Sequence, residues 1–177
     1  FEDREAGGFY FTADDHESLI LRPKTFSDDA TPAGNGVAAR VLIRLGYLLG
    51  ETRYIDAAEA TLRAAHAAIV PTTLEVFASA IERYPHGHGT LLMALEEFTS
   101  PPWILVLRGE SDELDVWRSE VDKLYDPHRM IVAVPSDAKN LPAALAGKKA
   151  LGGAVAYVCR GMTCSPPVPT LSQLVRE

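Results

Sequence analysis

Two stretches of the chain carry residues whose types and spacing can do chemistry. The first is Arg22-Pro23-Lys24-Thr25-Phe26-Ser27-Asp28-Asp29-Ala30-Thr31-Pro32-Ala33-Gly34-Asn35-Gly36. Thr31-Pro32 reads as the N-cap and first position of a helix. That places Gly34 and Gly36 in its first turns, where each costs about 1 kcal/mol against Ala. Glycine there lets a backbone or a ligand come close. A helix N-terminus adds unpaired N–H groups and partial positive charge. Arg22, Lys24, Asp28, Asp29 and Asn35 add fixed hydrogen-bonding groups, so with Gly34 they form a candidate site for a polyhydroxylated or anionic ligand. The same residues suit close packing of helix starts around a loop, and on these residues alone both readings stand.

The second stretch is Cys159-Arg160-Gly161-Met162-Thr163-Cys164. Four intervening residues is not the Cys-x-x-Cys redox spacing, although Arg160 can lower the pKa of a neighbouring thiol. Cys159 ends an apolar run, where an inert thiol is ordinary. Free structural thiols are therefore expected ahead of a functional pair, and a disulfide requires Cα atoms within about 7 Å.

Other clusters are weaker. Asp14-Asp15-His16-Glu17 alternates sides in an extended chain and cannot all face one ion, so it reads as a solvated turn. His86 and His88 sit in the glycine loop Pro85-His86-Gly87-His88-Gly89 without an evident third ligand for zinc, and read as spare histidines of a flexible loop. His66 lies on an alanine-rich helix, and His128 precedes a strand. No nucleophile elbow, P-loop or complete dinucleotide fingerprint is present. No catalytic residue, metal or cofactor is assigned.

The elements that position these residues change character at Ser100-Pro101-Pro102, where two prolines break any helix. Before the break, Gly7 to Thr12 suits a strand or β-hairpin arm continued by Leu19-Ile20-Leu21. Helices follow. One has the stripe Val37, Val41, Leu45 and Leu48 and a stop at Gly50. A second starts near Thr52, with Ile55, Ala58, Leu62, Ala65 and Ile69 on one face and an end at Pro71. A third has the capping box Thr72 to Glu75, with Val76, Phe77, Ala80 and Ile81 inward. A fourth runs from Thr90 to about Phe98. Short links favour antiparallel neighbours. After the break, apolar strands at Trp103–Leu107, Met130–Val134 and Ala154–Cys159 alternate with helices capped at Ser111, at Leu141–Ala146 and at Leu171–Val175. The β-α-β-α-β-α order predicts a three-stranded, mostly parallel sheet. The class is mixed α+β, with helical hairpins and an arm over residues 1–100 and a small α/β segment over 101–177.

The 177 residues are 47% hydrophobic and 23% charged, which excludes disorder and disulfide-dense scaffolds. Residues 1–100 hold 15 acidic and 8 basic side chains, and residues 101–177 hold 9 of each. No basic excess draws the chain to nucleic acid, and no polybasic stretch or long apolar run draws it to a membrane. It opens Phe1-Glu2-Asp3-Arg4-Glu5, without a secretory pattern, so a piece of a longer cytoplasmic protein is expected.

Several of these stretches together resemble one family. Gly7-Gly8-Phe9-Tyr10-Phe11-Thr12, Arg22-Pro23-Lys24, Asp29-Ala30-Thr31-Pro32-Ala33-Gly34-Asn35 and the tail Ala156-Tyr157-Val158-Cys159-Arg160 to Cys164-Ser165-Pro166-Pro167-Val168 are similar to the C-terminal region of the thioredoxin-domain-containing YyaL-type proteins. This is the family of spermatogenesis-associated protein 20. The resemblance implies a larger protein with a thioredoxin-like domain and an α/α toroid of the six-hairpin glycosidase kind, similar to N-acylglucosamine 2-epimerases. Residues 1–100 would supply the toroid's last hairpins. The implied function is to bind or process a carbohydrate-like ligand, with the rest of the parent chain as partner and no activity in this part alone. The alternatives are a thiol redox role through Cys159 and Cys164, or an interaction module that self-associates through exposed helix faces. Where the family pattern has Ser, this chain has Ala33 and Gly36, so two hydroxyls of the implied cleft are missing.

Overall fold

The computed structural model describes residues 1–69 and 84–175. The third helix expected at Thr72 to Ile81, and the stop at Pro71, lie outside the described residues. The chain divides into two compact units, Phe1–Gly46 with Glu51–Ser100 and Tyr47–Gly50 with Pro101–Glu177.

In the first unit an irregular arm precedes α1 (Gly34–Leu49), α2 (Thr52–Ile69), a 3-10 turn (Pro85–His88) and α3 (Gly89–Thr99). Gly50 stops α1 at φ +68°, as the sequence predicts. The buried face of α1 differs from the predicted stripe. Val37 and Val41 are exposed, and Gly36, Ala39, Ile43 and Gly46 are buried instead. The cause is close approach: a Cβ on Gly36 would meet the Thr90 side chain and, at 2.9 Å, its carbonyl carbon. A small-residue face therefore beats a bulkier one, because it lets α3 come nearer. The helix also starts later than Thr31-Pro32. Ala33 accepts the first turn's bond from the Val37 N–H, while Thr31 and Pro32 stay exposed.

The arm is not the predicted hairpin. Gly7 and Gly8 take φ +77° and +79° and turn the chain so that Phe9 bridges back to Glu2. Leu19, Ile20 and Leu21 remain exposed and form no strand.

The second unit is a four-stranded sheet in the order β2-β1-β3-β4: β1 (Trp103–Gly109), β2 (Arg129–Pro135), β3 (Val155–Arg160) and β4 (Thr163–Cys164). The strands β1 and β2 are joined by α4 (Ser111–Asp122), and β2 and β3 by a link holding α5 (Ala143–Ala146). A last helix, α6, spans Leu171–Leu174. The mixed α+β class is as expected, but the sheet is not mostly parallel. The strands β1 and β2 are parallel, whereas β3 is antiparallel to both β1 and β4. A parallel return needs a crossover that spans the strand. The twelve-residue α4 provides one. The four-residue α5 rises only about 6 Å against about 23 Å for a seven-residue strand. The chain therefore re-enters the sheet at the end where β2 left it.

Leu105, Leu107, Leu114, Val121, Val158 and Leu174 form the core on one face of the sheet. Ile104, Val106, Val134, Leu145 and Cys159 form it on the other, with Tyr47 and Leu48 against them. No helix among the described residues is long and apolar enough to cross a membrane.

Candidate functional site

The residues singled out in the sequence gather around the arm of the first unit, and most of their polar atoms face the protein. Asn35 is buried on the first turn of α1. Its Oδ1 accepts from the Phe9 N–H at 2.7 Å, and its Nδ2 donates to the carbonyls of Phe9 and Thr25 at 3.0 Å each. Only one orientation of the amide meets a donor and two acceptors together. The side chain thus pairs with the arm as a strand would.

Asp3 is the other anchor. Its Oδ1 accepts the N–H groups of Glu5 and Ala6, each at 3.0 Å, which closes the turn before Gly7. Its Oδ2 accepts from Lys24 Nζ at 2.6 Å and from Tyr10 OH at 2.7 Å. The Ala6 N–H, then Lys24 and Tyr10, hold the Asp3 carboxyl well below the usual carboxylate range. The bond to Asp3 in turn raises the Tyr10 phenol. Lys24 also donates to the Gly7 carbonyl at 2.8 Å. Arg22 reaches the Thr12 carbonyl at 2.8 Å and Asp14 at 2.7 Å, and its guanidinium stacks 4.2 Å from the centre of the Tyr10 ring. The Arg22 bond lowers the Asp14 carboxyl.

Asp28 joins two helix starts. Its Oδ1 accepts the Ala33 N–H at 2.7 Å as α1 begins, and its Oδ2 accepts the Thr90 N–H at 2.8 Å in the first turn of α3. The Thr90 hydroxyl also donates to it. Burial pushes this carboxyl up, and the bonds from Thr90 and Ala33 outweigh it, so the net shift is downward. Anionic oxygen at two helix N-termini is favourable on its own account. Asp29 and Gly34 stay exposed, and a Cβ at Gly34 would meet nothing within 4 Å.

A cleft of about 260 Å³ lies beside the arm, lined by Glu2, Asp3, Arg4, Gly7, Gly8 and Phe9, and by Arg53, Asp56, Ala57 and Ala60 of α2. It adjoins a second hollow of about 390 Å³ that shares Glu2, Arg4, Phe9, Arg53 and Ala57. The sequence reading missed these walls, because Arg4, Arg53 and Asp56 sit in no motif. It also missed Glu97 of α3, 4% exposed, which takes Arg44 in a two-pronged bond at 2.8 and 2.5 Å and Arg40 at 2.8 Å. Burial raises the Glu97 carboxyl, and Arg44 and Arg40 outweigh it and lower it. The available signal was Arg40 and Arg44 one helical turn apart on α1.

The His86–His88 stretch is a 3-10 turn, not a flexible loop. His88 is buried and lowers the neighbouring Asp28 carboxyl, while His86 is exposed and meets the Tyr84 ring edge-on. No group of three His, Cys, Asp or Glu side chains is placed to hold a metal ion among the described residues. In the second unit Cys159 and Cys164 are register partners on β3 and β4 and are joined by a disulfide, with Cα atoms 3.9 Å apart. This corrects the expectation of free thiols: the turn at Gly161-Met162 brings the two strands back in register.

The fold and the clamp define a mixed α+β segment whose helical unit is tied together by an N-terminal arm. No protein-family model matches the chain. It is 25% identical over 176 residues to spermatogenesis-associated protein 20 of Homo sapiens, covering 95% of this chain and 21% of that protein. It is 24% identical over 172 residues to Uncharacterized protein B0495.5 of Caenorhabditis elegans, covering 94% of this chain and 22% of that protein. The chain spans about a fifth of the length of the relatives it matches.

Proposed function

We propose that this chain belongs to a larger protein that binds a carbohydrate-like ligand, and that the first unit meets that ligand at the cleft between the arm and α2. The observation that carries this reading is the composition of the cleft wall. Glu2, Arg4, Arg53 and Asp56 offer donors and acceptors of both signs beside the turn at Gly7 and Gly8. Sugar hydroxyls need such a mixture, since each both donates and accepts. In this reading Arg22, Lys24, Asp28 and Asn35 hold the arm and the helix starts in place, while Asp29 and Gly34 are exposed and line no part of the cleft. The α/α toroid and the epimerase-like chemistry of the parent belong to the same proposal. The rest of the parent chain completes the cleft.

The test is NMR titration of the 177-residue chain with N-acetylglucosamine, mannose and a sugar phosphate at millimolar concentration. Shifts are expected at the Gly7, Gly8 and Arg53–Ala57 amides, and Arg53→Ala should abolish them while leaving the spectrum folded. Shifts confined to Asp29–Asn35 would move the site to the helix start, and no shift with any sugar removes this reading.

A second reading, thiol exchange with a thioredoxin-like domain, is favoured by the exposure of Cys164 beside the buried Cys159. An attacking thiolate would form a mixed disulfide with Cys164 and release the Cys159 thiolate. Alkylation after treatment with reduced thioredoxin tests it, and a pair that stays oxidised counts against it.

A further inference from the structure

We infer that this chain pairs with a second copy of itself along the outer edge of β2, antiparallel about a two-fold axis at Val132. The inference starts from which backbone groups β2 spends on β1. The Trp103 N–H bonds the His128 carbonyl at 3.1 Å, and the Ser136 N–H bonds the Gly109 carbonyl at 2.8 Å. With the parallel register Trp103↔Arg129 through Gly109↔Pro135, the even-numbered residues 130, 132 and 134 turn their N–H and C=O groups toward β1. The odd-numbered residues turn theirs outward.

The two ends of that outward row offer no free donor, and only the Arg129 carbonyl stays open there. The Arg129 N–H is taken by the Asp126 carbonyl, the Pro135 carbonyl is taken by the Ala138 N–H, and Pro135 has no N–H. Between them the N–H and C=O of Ile131 and Ala133 face outward, and no hydrogen bond reaches these four groups among the described residues. A row of unpaired groups on an apolar strand is a template for another strand.

The sequence of the row selects the occupant. A two-fold axis at Val132 sets Ile131 opposite Ala133 of the second copy, and Ala133 opposite its Ile131. Each such pair exchanges two N–H to C=O bonds, so these four groups of each copy are all matched, and only the Arg129 carbonyl, opposite Pro135, is left to solvent. The same axis sets Val132 against Val132 and Met130 against Val134 on one face, with the Ile131–Ala133 pairs on the other, so apolar cross-strand contacts form on both faces. Pro135 then falls opposite Arg129 and ends the pairing where no donor remains. Residues 101–177 hold 9 basic and 9 acidic side chains, so net charge does not oppose the approach. The product is one continuous eight-stranded sheet.

The experiment is multi-angle light scattering across a dilution series, with amide hydrogen exchange on the same samples. The expected result is a mass near twice 19.2 kDa at high concentration, falling to the monomer on dilution, with the Ile131 and Ala133 amides protected only in the dimer. Ala133→Pro removes an outward N–H without touching the bonds to β1, as proline tolerates an edge position. It should raise the dissociation constant roughly tenfold or more, through two lost bonds per pair, with the circular dichroism of the chain unchanged. A monomer at every concentration overturns the inference. So does a dimer in which the Ile131 and Ala133 amides exchange freely, a result that needs no variant to fold.

Discussion

Replacing Asn35 with Ala separates a clamp from a ligand-binding residue. The amide holds the Phe9 N–H, the Phe9 carbonyl and the Thr25 carbonyl, and it is 3% exposed. A typical internal hydrogen bond contributes about 1 kcal/mol net, so removing three costs about 3 kcal/mol. Water entering the vacated space limits the penalty on the three backbone groups left behind, which holds the loss between about 2 and 4 kcal/mol. For a chain of this size that is roughly 6 to 12 °C in the unfolding midpoint. Asn35→Asp sharpens the test. One carboxylate oxygen still accepts from Phe9, but both donors vanish and a charge faces two carbonyl oxygens, so Asp should cost at least as much as Ala. The assay is urea unfolding followed by far-UV circular dichroism, which reports the helices of the first unit. Both tryptophans, Trp103 and Trp117, lie in the second unit and serve as the internal control. The Phe9 and Tyr10 amides should also exchange faster in the variants. A stability for Asn35→Ala within about 0.5 kcal/mol of the parent, the ordinary range for surface substitutions, would refute the clamp and return Asn35 to the ligand.

Three further outcomes follow from the same geometry. Gly36→Ala should lose about 1–3 kcal/mol by forcing α1 off Thr90, whereas Gly34→Ala, with open space around it, should gain about 0.5 kcal/mol; equal effects in urea unfolding would contradict the packing. The Glu97 carboxyl is lowered in the folded chain, so its contribution is present above the unfolded value of about 4.3 and is lost as pH falls through the folded value. Glu97→Gln should therefore flatten that part of the acid stability curve, and an unchanged slope would remove Glu97 as its source. Reducing the Cys159–Cys164 bond, which closes a loop with a sequence separation of 5, should cost the second unit about 2 kcal/mol by chain entropy, read by tryptophan fluorescence, with the first unit's transition unmoved.

Local pattern placed α2, α3, β1, β2 and β3 within a few residues of where they lie, because each is set by near neighbours: a cap, a glycine stop, an unbroken apolar run. What local pattern could not supply was pairing at a distance. Asn35 meets Phe9 across 26 residues, Asp28 meets Thr90 across 62, and Glu97 meets Arg40 and Arg44 across 57 and 53. The direction of β3 depended on a link too short in helix to cross the sheet. The buried face of α1 depended on a neighbour that rewards small residues.

These distant pairings also change what a broken local rule means at residues 22–36. Glycines in a helix start, and a run of charged and amide side chains before it, point to a ligand only while no protein partner is in view. Gly36 makes room for Thr90, Asp28 caps two helices, Lys24 holds the Asp3 turn, and Asn35 acts as a strand for Phe9. Gly34 apart, each of these departures is compensated by a specific long-range contact, which is what packing around an arm requires. The wall of the neighbouring cleft is built instead from residues such as Glu2, Arg4, Arg53 and Asp56. Their spacing in sequence carries no signature, because they come together only where the arm lies beside a helix.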